Sequence, residues 1–438
     1  MARILTFFIR ARGDAEHFFP LIWACEQGAI PETKVNVVFT TDDGASFLAE
    51  YGSLLGKAPE RVRFLLLTEY RTSAAKALLR LLRNRRISIR ECIILFIYEY
   101  AGKIPLLNLS VDSPAARAVA SLPELYKEIA GSTDDKHTLI FDPAPCRFYR
   151  EMCHYFKSAK RRFCTVAIHH GDLCYVNKRQ TPWLPGHRFY SPNGSNITDN
   201  FDFISLPNQY IFDIMFPEGL PPEKAKRIWI EGSPRYQRSW VERVQHLSPK
   251  VEEPSKGIKI LFLLRNDGLP IFEEGQFLTV ALILLTFSCV SIHVKFHPRS
   301  YRKKMKVWKK YQKKFPGRIR TLPIKSLTLP AIADSDLIVN MGTSAAFDAI
   351  QLGKPVLSLD FLHFNYSTTA YFMPSTEART RDDALRIIGE TIENKSANYS
   401  AEEHACFVSA LINRDDAESP AQIILQRLQN CDAKNAED

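Results

Sequence analysis

A chain of 438 residues is two to three times the commonest domain length, so two domains are the expectation. Hydrophobic residues at 45% and charged residues at 24% exclude wholesale disorder, collagen-like repeats and a disulfide-stapled miniature fold. The 58 Lys and Arg against 48 Asp and Glu leave +10, which favours anionic partners: nucleic acid, a membrane surface or phosphorylated substrates.

The stretch from Ala2 to Arg10 is too short for the apolar part of a signal peptide and closes on Arg10, so no export is expected. The nine cysteines are odd in number and form no CxxC pair; they read as reduced thiols in the cytosol, with no zinc site. Strands are predicted at 3–9, 35–40, 62–67, 138–141, 164–168, 202–205 and 227–230, alternating with helical patterns. The later ones end in Asp142-Pro143, His170-Gly171, Pro207-Asn208 and Gly232-Ser233-Pro234, at the carboxyl ends where parallel sheets carry their chemistry. Residues 244–257 are polar with two prolines and mark a boundary. Beyond them strands are predicted at 258–264, 291–296, 318–322, 337–340 and 355–359. The longest apolar run, 277–292, is shorter than a membrane span and is interrupted by Thr279, Thr286, Ser288 and Ser291; it reads as a buried helix running into a strand. From residue 381 amphipathic helices follow, and 432–438 look frayed. The expected fold is α/β, with two Rossmann-like lobes, 1–245 and 257–380, facing a cleft, and a C-terminal helical segment, 381–438.

The most informative stretch runs from Asp336 to Val356. A strand ends at Asn340, Gly342 permits a tight turn, and Thr343 and Ser344 stand at a helix start, where hydroxyls and backbone N–H groups make either a phosphate site or a plain N-cap. Asp348, in the same helix, is a further candidate for the nucleotide or phosphate site with Gly342, and Gly353 closes the helix. Lys295-Phe296-His297-Pro298-Arg299 follows another strand of that lobe: His297 can donate to a phosphate oxygen, with Lys295 and Arg299 adding positive charge. Two strand-end anion sites in one sheet suggest a diphosphate or nucleotide. Arg235, just past a strand at the lobe junction, can bridge a phosphate bidentately or serve a structural salt bridge.

His297-Pro298 together with Gly342-Thr343-Ser344 through Gly353-Lys354-Pro355 resembles the donor lobe of GT-B glycosyltransferases, closest to bacterial surface-polysaccharide (capsule and lipopolysaccharide) transferases and the CDP-glycerol glycerophosphotransferase group. His170-Gly171 and Gly232-Ser233-Pro234-Arg235 keep that group's order, over roughly residues 160–365. The resemblance implies a GT-B fold, His170 as general base, His297 at the leaving phosphate, and Thr343 and Ser344 as phosphate ligands. It also implies a first lobe that takes a glycan or lipid-linked acceptor and a second that takes a nucleotide-activated sugar. Asp172 stands where that group carries a proline-containing segment, and Gly342-Thr343 replaces its commoner Ser-Ser. Thr41-Asp42-Asp43-Gly44 resembles the element that supplies the base in bacterial sialyltransferases, making Asp43 the second candidate. Asp267-Gly268 reads as a plain turn. Asp334-Ser335-Asp336 mimics a metal-binding Asp-x-Asp but reads as a corner, and neither a metal nor another cofactor is expected.

Residues 301–315 carry eight cations and no acid, with Met305, Trp308, Tyr311 or Gln312, and Phe315 at helical spacing; residues 71–90 carry seven more. Both fit an anionic bilayer, and both fit a solvated face whose apolar side packs on its own sheet. The leading expectation is a peripheral cytoplasmic glycosyltransferase moving a sugar or sugar-like phosphate unit from a nucleotide donor to a cell-surface polysaccharide. The alternatives are a nucleotide-sugar epimerase of the same fold, a non-catalytic scaffold, and a nucleic-acid-binding protein, for which no RNA- or DNA-binding motif is present.

Overall fold

The computed structural model describes residues 3–10, 12–40, 51–52, 54–55, 59–66, 122–129, 135–143, 152–153, 156, 163–169, 175–176, 199–216, 219–247, 257–264, 274–297, 301–324, 326–362, 366–394, 396–412 and 419–431. The first sheet is built from β1 (Arg3–Ile9), β2 (Thr33–Phe39), β3 (Val62–Leu66), β4 (Lys136–Phe141), β5 (Cys164–Ile168), β7 (Phe203–Leu206) and β8 (Ile228–Ile230); β6 (Tyr175–Val176) lies outside it. Its order is β3-β2-β1-β4-β5-β7-β8, every pair parallel. In β1, Leu5, Phe7 and Ile9 enter the core on one face of the sheet and Phe8 the core on the other. Burial on both faces is why such strands read as continuous apolar runs. The first face is covered by α1 (Arg12–Glu26), which contributes Phe18, Phe19 and Ile22. The helices α2 (Gln209–Met215) and α3 (Arg238–Leu247) follow β7 and β8.

The second sheet has β9 (Ile258–Leu263), β10 (Val290–Lys295), β11 (Ile319–Thr321), β12 (Leu337–Asn340), β13 (Val356–Leu359) and β15 (Glu377–Ala378), ordered β11-β10-β9-β12-β13-β15 and again wholly parallel. Each sheet runs outward in both directions from its first strand, the doubly wound order whose reversal creates a crevice at the carboxyl edge. Every expected strand is present, its ends displaced by two residues at most; β15, β6 and a two-residue strand at 366–367 are additions. The apolar run 277–292 is α4 (Glu274–Leu284) followed by a turn and β10, as expected. No helix among the described residues is long and apolar enough to cross a membrane.

The cationic segment forms α5 (Tyr301–Lys314). Trp308 is buried in the second-lobe core, Met305, Tyr311 and Phe315 pack against it, and Lys306, Lys309, Lys310, Lys313 and Lys314 are exposed. Its apolar side therefore belongs to its own sheet. Residues 71–90 lie outside the described residues.

The phosphate-turn helix is α6 (Ala345–Gln351) and the next long one α7 (Arg381–Asn394), which puts Ala384, Ile387 and Ile388 into the second core. The last described helix, α8 (Pro420–Asn430), crosses back: Ala421, Ile424, Leu425 and Leu428 are buried in the first-lobe core with α1. Arg3 clamps its far end, Nη1 donating to the carbonyls of Leu428 and of Cys431, the latter at 3.2 Å. A second tie is the antiparallel pair of β6 with β14 (Tyr366–Ser367).

Candidate functional site

Register places the two predicted anion sites on one edge. In the second sheet, Leu263 of β9 is opposed by Lys295 of β10 on one side and by Asn340 of β12 on the other. The outer two strands thus end at the same level, about 10 Å apart across β9. His297 leaves that edge two residues past Lys295, and Gly342-Thr343-Ser344 leaves it just past Asn340.

The turn after β12 is held by its own side chains. Gly342 has φ 75°, the left-handed region that a side chain disfavours. Asn340 Oδ1 accepts the N–H of Thr343 at 2.9 Å and its hydroxyl at 3.2 Å, so the Thr343 hydroxyl locks the turn. Ser344 already has helical angles, φ −63° and ψ −13°, and its side chain caps no backbone N–H. The plain N-cap alternative is therefore not what Ser344 does; its hydroxyl instead accepts from Arg235 Nη1 at 3.4 Å.

Arg235 sits in the single turn Pro234–Tyr236 that follows β8 and Gly232, whose φ is 83°. It is 7% exposed. Nη2 and Nε grip the Asp348 carboxylate, the Nε contact at 3.3 Å, and Nη1 lies 2.6 Å from Glu16 of α1. The fork geometry of guanidinium on carboxylate is what makes this pair specific. Burial works against the guanidinium's charge, but Asp348 and then Glu16 outweigh it and hold its pKa well above the usual value. Burial pushes the Asp348 carboxyl up to about 6, with Arg235 pulling it back. The neighbours of Arg235 complete a hub. The Tyr236 hydroxyl donates to the Ser344 carbonyl at 3.3 Å and its ring packs on Phe347, while Gln237 Oε1 accepts from Ser419 Oγ at 2.8 Å and from the Ala421 N–H at 3.3 Å, at the start of α8. One three-residue segment thereby holds α1, the Ser344 turn and the returning helix together.

Lys295 takes another direction from the one expected. Buried at 5% exposure, its ammonium donates to the carbonyls of Pro323 (2.7 Å), Ile324 (3.2 Å) and Ser326 (2.6 Å) and to Ser326 Oγ (2.9 Å). It anchors a loop. Asp334 and Asp336 are both engaged by Lys259, through its ammonium at 2.9 Å and its N–H at 2.7 Å, at the corner leading into β12.

In the first lobe the strand order reverses between β1 and β4. There the Arg10 N–H donates to Asp14 at 2.8 Å and its guanidinium lies 3.7 Å from the fully buried Asp142. His169, the residue just after β5, is buried. His170, Asp43, Arg299, Pro298 and Asp267-Gly268 lie outside the described residues. Glu16, Arg10 and Asp14 had no place among the predicted site residues. The one signal was position: each follows β1, the first strand of a doubly wound lobe.

Two doubly wound lobes, a helix returning from the second to the first, and carboxyl edges joined through Arg235 constitute the GT-B fold. No family model matches the sequence, and no curated protein matches it. Solved structures do. The chain is similar to the UDP-GlcNAc 2-epimerase of Methanocaldococcus jannaschii in complex with UDP-GlcNAc and UDP, at 12% identity over 98% of this chain and 100% of that one, with a TM-score of 0.57. It is similar to UDP-N-acetylglucosamine 2-epimerase from Rickettsia bellii at 13% identity over 98% and 96% of the two chains, TM-score 0.55. It is also similar to the wall teichoic acid polymerase TagF soaked with CDPG, at 12% identity over 100% and 89%, TM-score 0.53. Identities this low carry the fold and leave the reaction to the residues.

Proposed function

We propose that the protein is a glycosyltransferase that binds a nucleotide-activated sugar, or a sugar-like phosphate unit, between its lobes and passes it to a cell-surface polysaccharide or lipid-linked acceptor. The observation that carries this is the shared edge of β10 and β12, which sends His297 and Ser344 out at one level with Arg235 on the Ser344 hydroxyl. In this reading the turn from Gly342 to Ser344 holds the donor's phosphates, Arg235 faces them from the junction and Arg299 adds charge. Lys295 and Asp348 act behind them, holding a loop and the guanidinium. The acceptor hydroxyl attacks the transferred unit, the bond to the nucleotide's phosphate breaks, and the released phosphate's charge is met by His297 and Arg235 without a metal. The acceptor's proton passes to His170, with Asp43 as the alternative base; an imidazole titrates close enough to neutrality for that role. A membrane-bound acceptor would be met at a cytoplasmic, anionic membrane face, and the exposed lysines of α5 suit such a surface.

A second reading is a nucleotide-sugar epimerase, since the solved structures similar to this chain include UDP-GlcNAc 2-epimerases as well as TagF. Product analysis with and without acceptor separates the two: an epimerase turns the donor over alone. The donor site itself is tested by thermal-shift screening with CMP, CDP, UDP and GDP. One of them stabilises the wild type, and His297→Ala removes most of that shift. Equal shifts in both proteins count against His297.

A further inference from the structure

The two carboxylates on Arg235 come from different lobes and are held differently. The Asp348 side chain is 6% exposed on α6, flanked in sequence by the core residues Phe347 and Ala349. The Glu16 side chain, on α1 of the first lobe, is 21% exposed. Asp348 occupies Nη2 and Nε, whereas Glu16 occupies Nη1, the same nitrogen that lies 3.4 Å from Ser344 Oγ. With all three ionised the cluster carries one negative charge in excess. A phosphate held by Ser344 would need Nη1 and would meet Glu16 as a like charge at close range.

We propose that Glu16 is a resident competitor for the donor's phosphate. It occupies Nη1 of Arg235 when the site is empty, and the incoming phosphate displaces it, so Glu16 sets donor affinity. This rests on the phosphate-site reading above. Asp348 is the fixed partner that keeps the guanidinium aimed while Nη1 exchanges one anion for another.

The test is calorimetric titration of inorganic pyrophosphate, CMP, CDP, UDP and GDP into wild type, Glu16→Gln, Glu16→Asp and Asp348→Asn, with melting curves to establish folding. Glu16→Gln is expected to tighten pyrophosphate and the preferred nucleoside diphosphate roughly three- to tenfold, since removing a like charge near an anion commonly shifts binding by that order. Glu16→Asp keeps the charge but shortens its reach, giving a smaller tightening, and it carries the test if the Gln variant does not fold. Asp348→Asn weakens binding. Unchanged or weaker binding in folded Glu16 variants, with the wild type binding normally, overturns the role of Glu16 and leaves the donor site standing. If no protein of the set binds pyrophosphate or any nucleotide, the phosphate site itself is refuted and Glu16 with it.

Discussion

Burial decides what a charged residue at this site is able to do. An ammonium has three N–H groups to give, and those of Lys295 are taken by the loop from Pro323 to Ser326. Lys295→Met leaves those carbonyls without their donor and is expected to destabilise the fold by about 3 kcal/mol, the upper range for hydrogen bonds to a charged group. Urea unfolding reads this loss, and the thermal shift given by the preferred nucleotide is expected to persist. A folded variant that loses that shift returns Lys295 to the phosphate. Asp348 gives a pH dependence. Its carboxyl is raised by burial from 3.8 to about 6, so the fold favours the protonated form. The stability it lends is complete below about pH 4 and gone above about pH 6. Asp348→Asn, which cannot titrate, is expected to flatten the decline in melting temperature across that window relative to wild type; parallel profiles dispose of the assignment. Arg235 and Asp348 were visible in the sequence as candidates, but their pairing was not, because nothing local says that a turn after β8 meets a helix after β12. Beyond its place after β1, Glu16 gave no signal, because an acid near the start of a helix looks like solvated surface.

Helix α5 separates two properties that its sequence mixes. At 100° per residue, Lys306, Lys309, Lys310, Lys313 and Lys314 fall within an arc of roughly 140° opposite Trp308. Trp308→Ala is expected to cost about 3–5 kcal/mol, as for other large buried aromatics, measurable in denaturant. Replacing Lys309, Lys310, Lys313 and Lys314 by Gln is expected to leave the melting temperature nearly unchanged, since exposed sites typically contribute within about ±0.5 kcal/mol each. The same variant is expected to lose flotation with phosphatidylglycerol vesicles at low salt, because each cation near an anionic surface adds about 1 kcal/mol. Retained flotation excludes this face as the membrane contact. The contrast also shows what an element's pattern makes legible. Strands buried on both faces announce themselves by runs such as Leu5 to Ile9 or Ile260 to Leu263. The pattern of α8 announces a buried face without saying which lobe receives it. Strand β15 is two residues with a glutamate among them, too short for a periodicity to form.

At the scale of the whole molecule, the two chain crossings converge. The chain leaves the first lobe through α3 and returns through α8, and Gln237 at the head of α3 accepts hydrogen bonds from the first residues of α8. The return helix then packs on α1, which also carries Glu16, while Arg235 beside Gln237 grips the Ser344 helix. A helix near the C-terminus is thus part of the first lobe's core and a neighbour of the donor turn, so deleting residues 419–438 is not a trimming of a tail. It strips Ala421, Ile424, Leu425 and Leu428 from α1 and removes both donors to Gln237. Four buried apolar side chains at about 1–3 kcal/mol each amount to much of the stability of an ordinary domain. The second lobe keeps its two cores, one on each face of its sheet, although the second of them also takes in Tyr236 from the first lobe. The truncated chain is therefore expected to melt in two steps in place of one. The first-lobe step should fall by many degrees and be followed by hydrogen exchange in β1 and α1, whereas exchange in β9, β10 and β12 stays slow. Nucleotide then stabilises only weakly, since Arg235 no longer has a folded first lobe to be aimed from. A single transition close to that of the full chain would mean that the returning helix does not join the lobes, and that the convergence on Gln237 carries no energy.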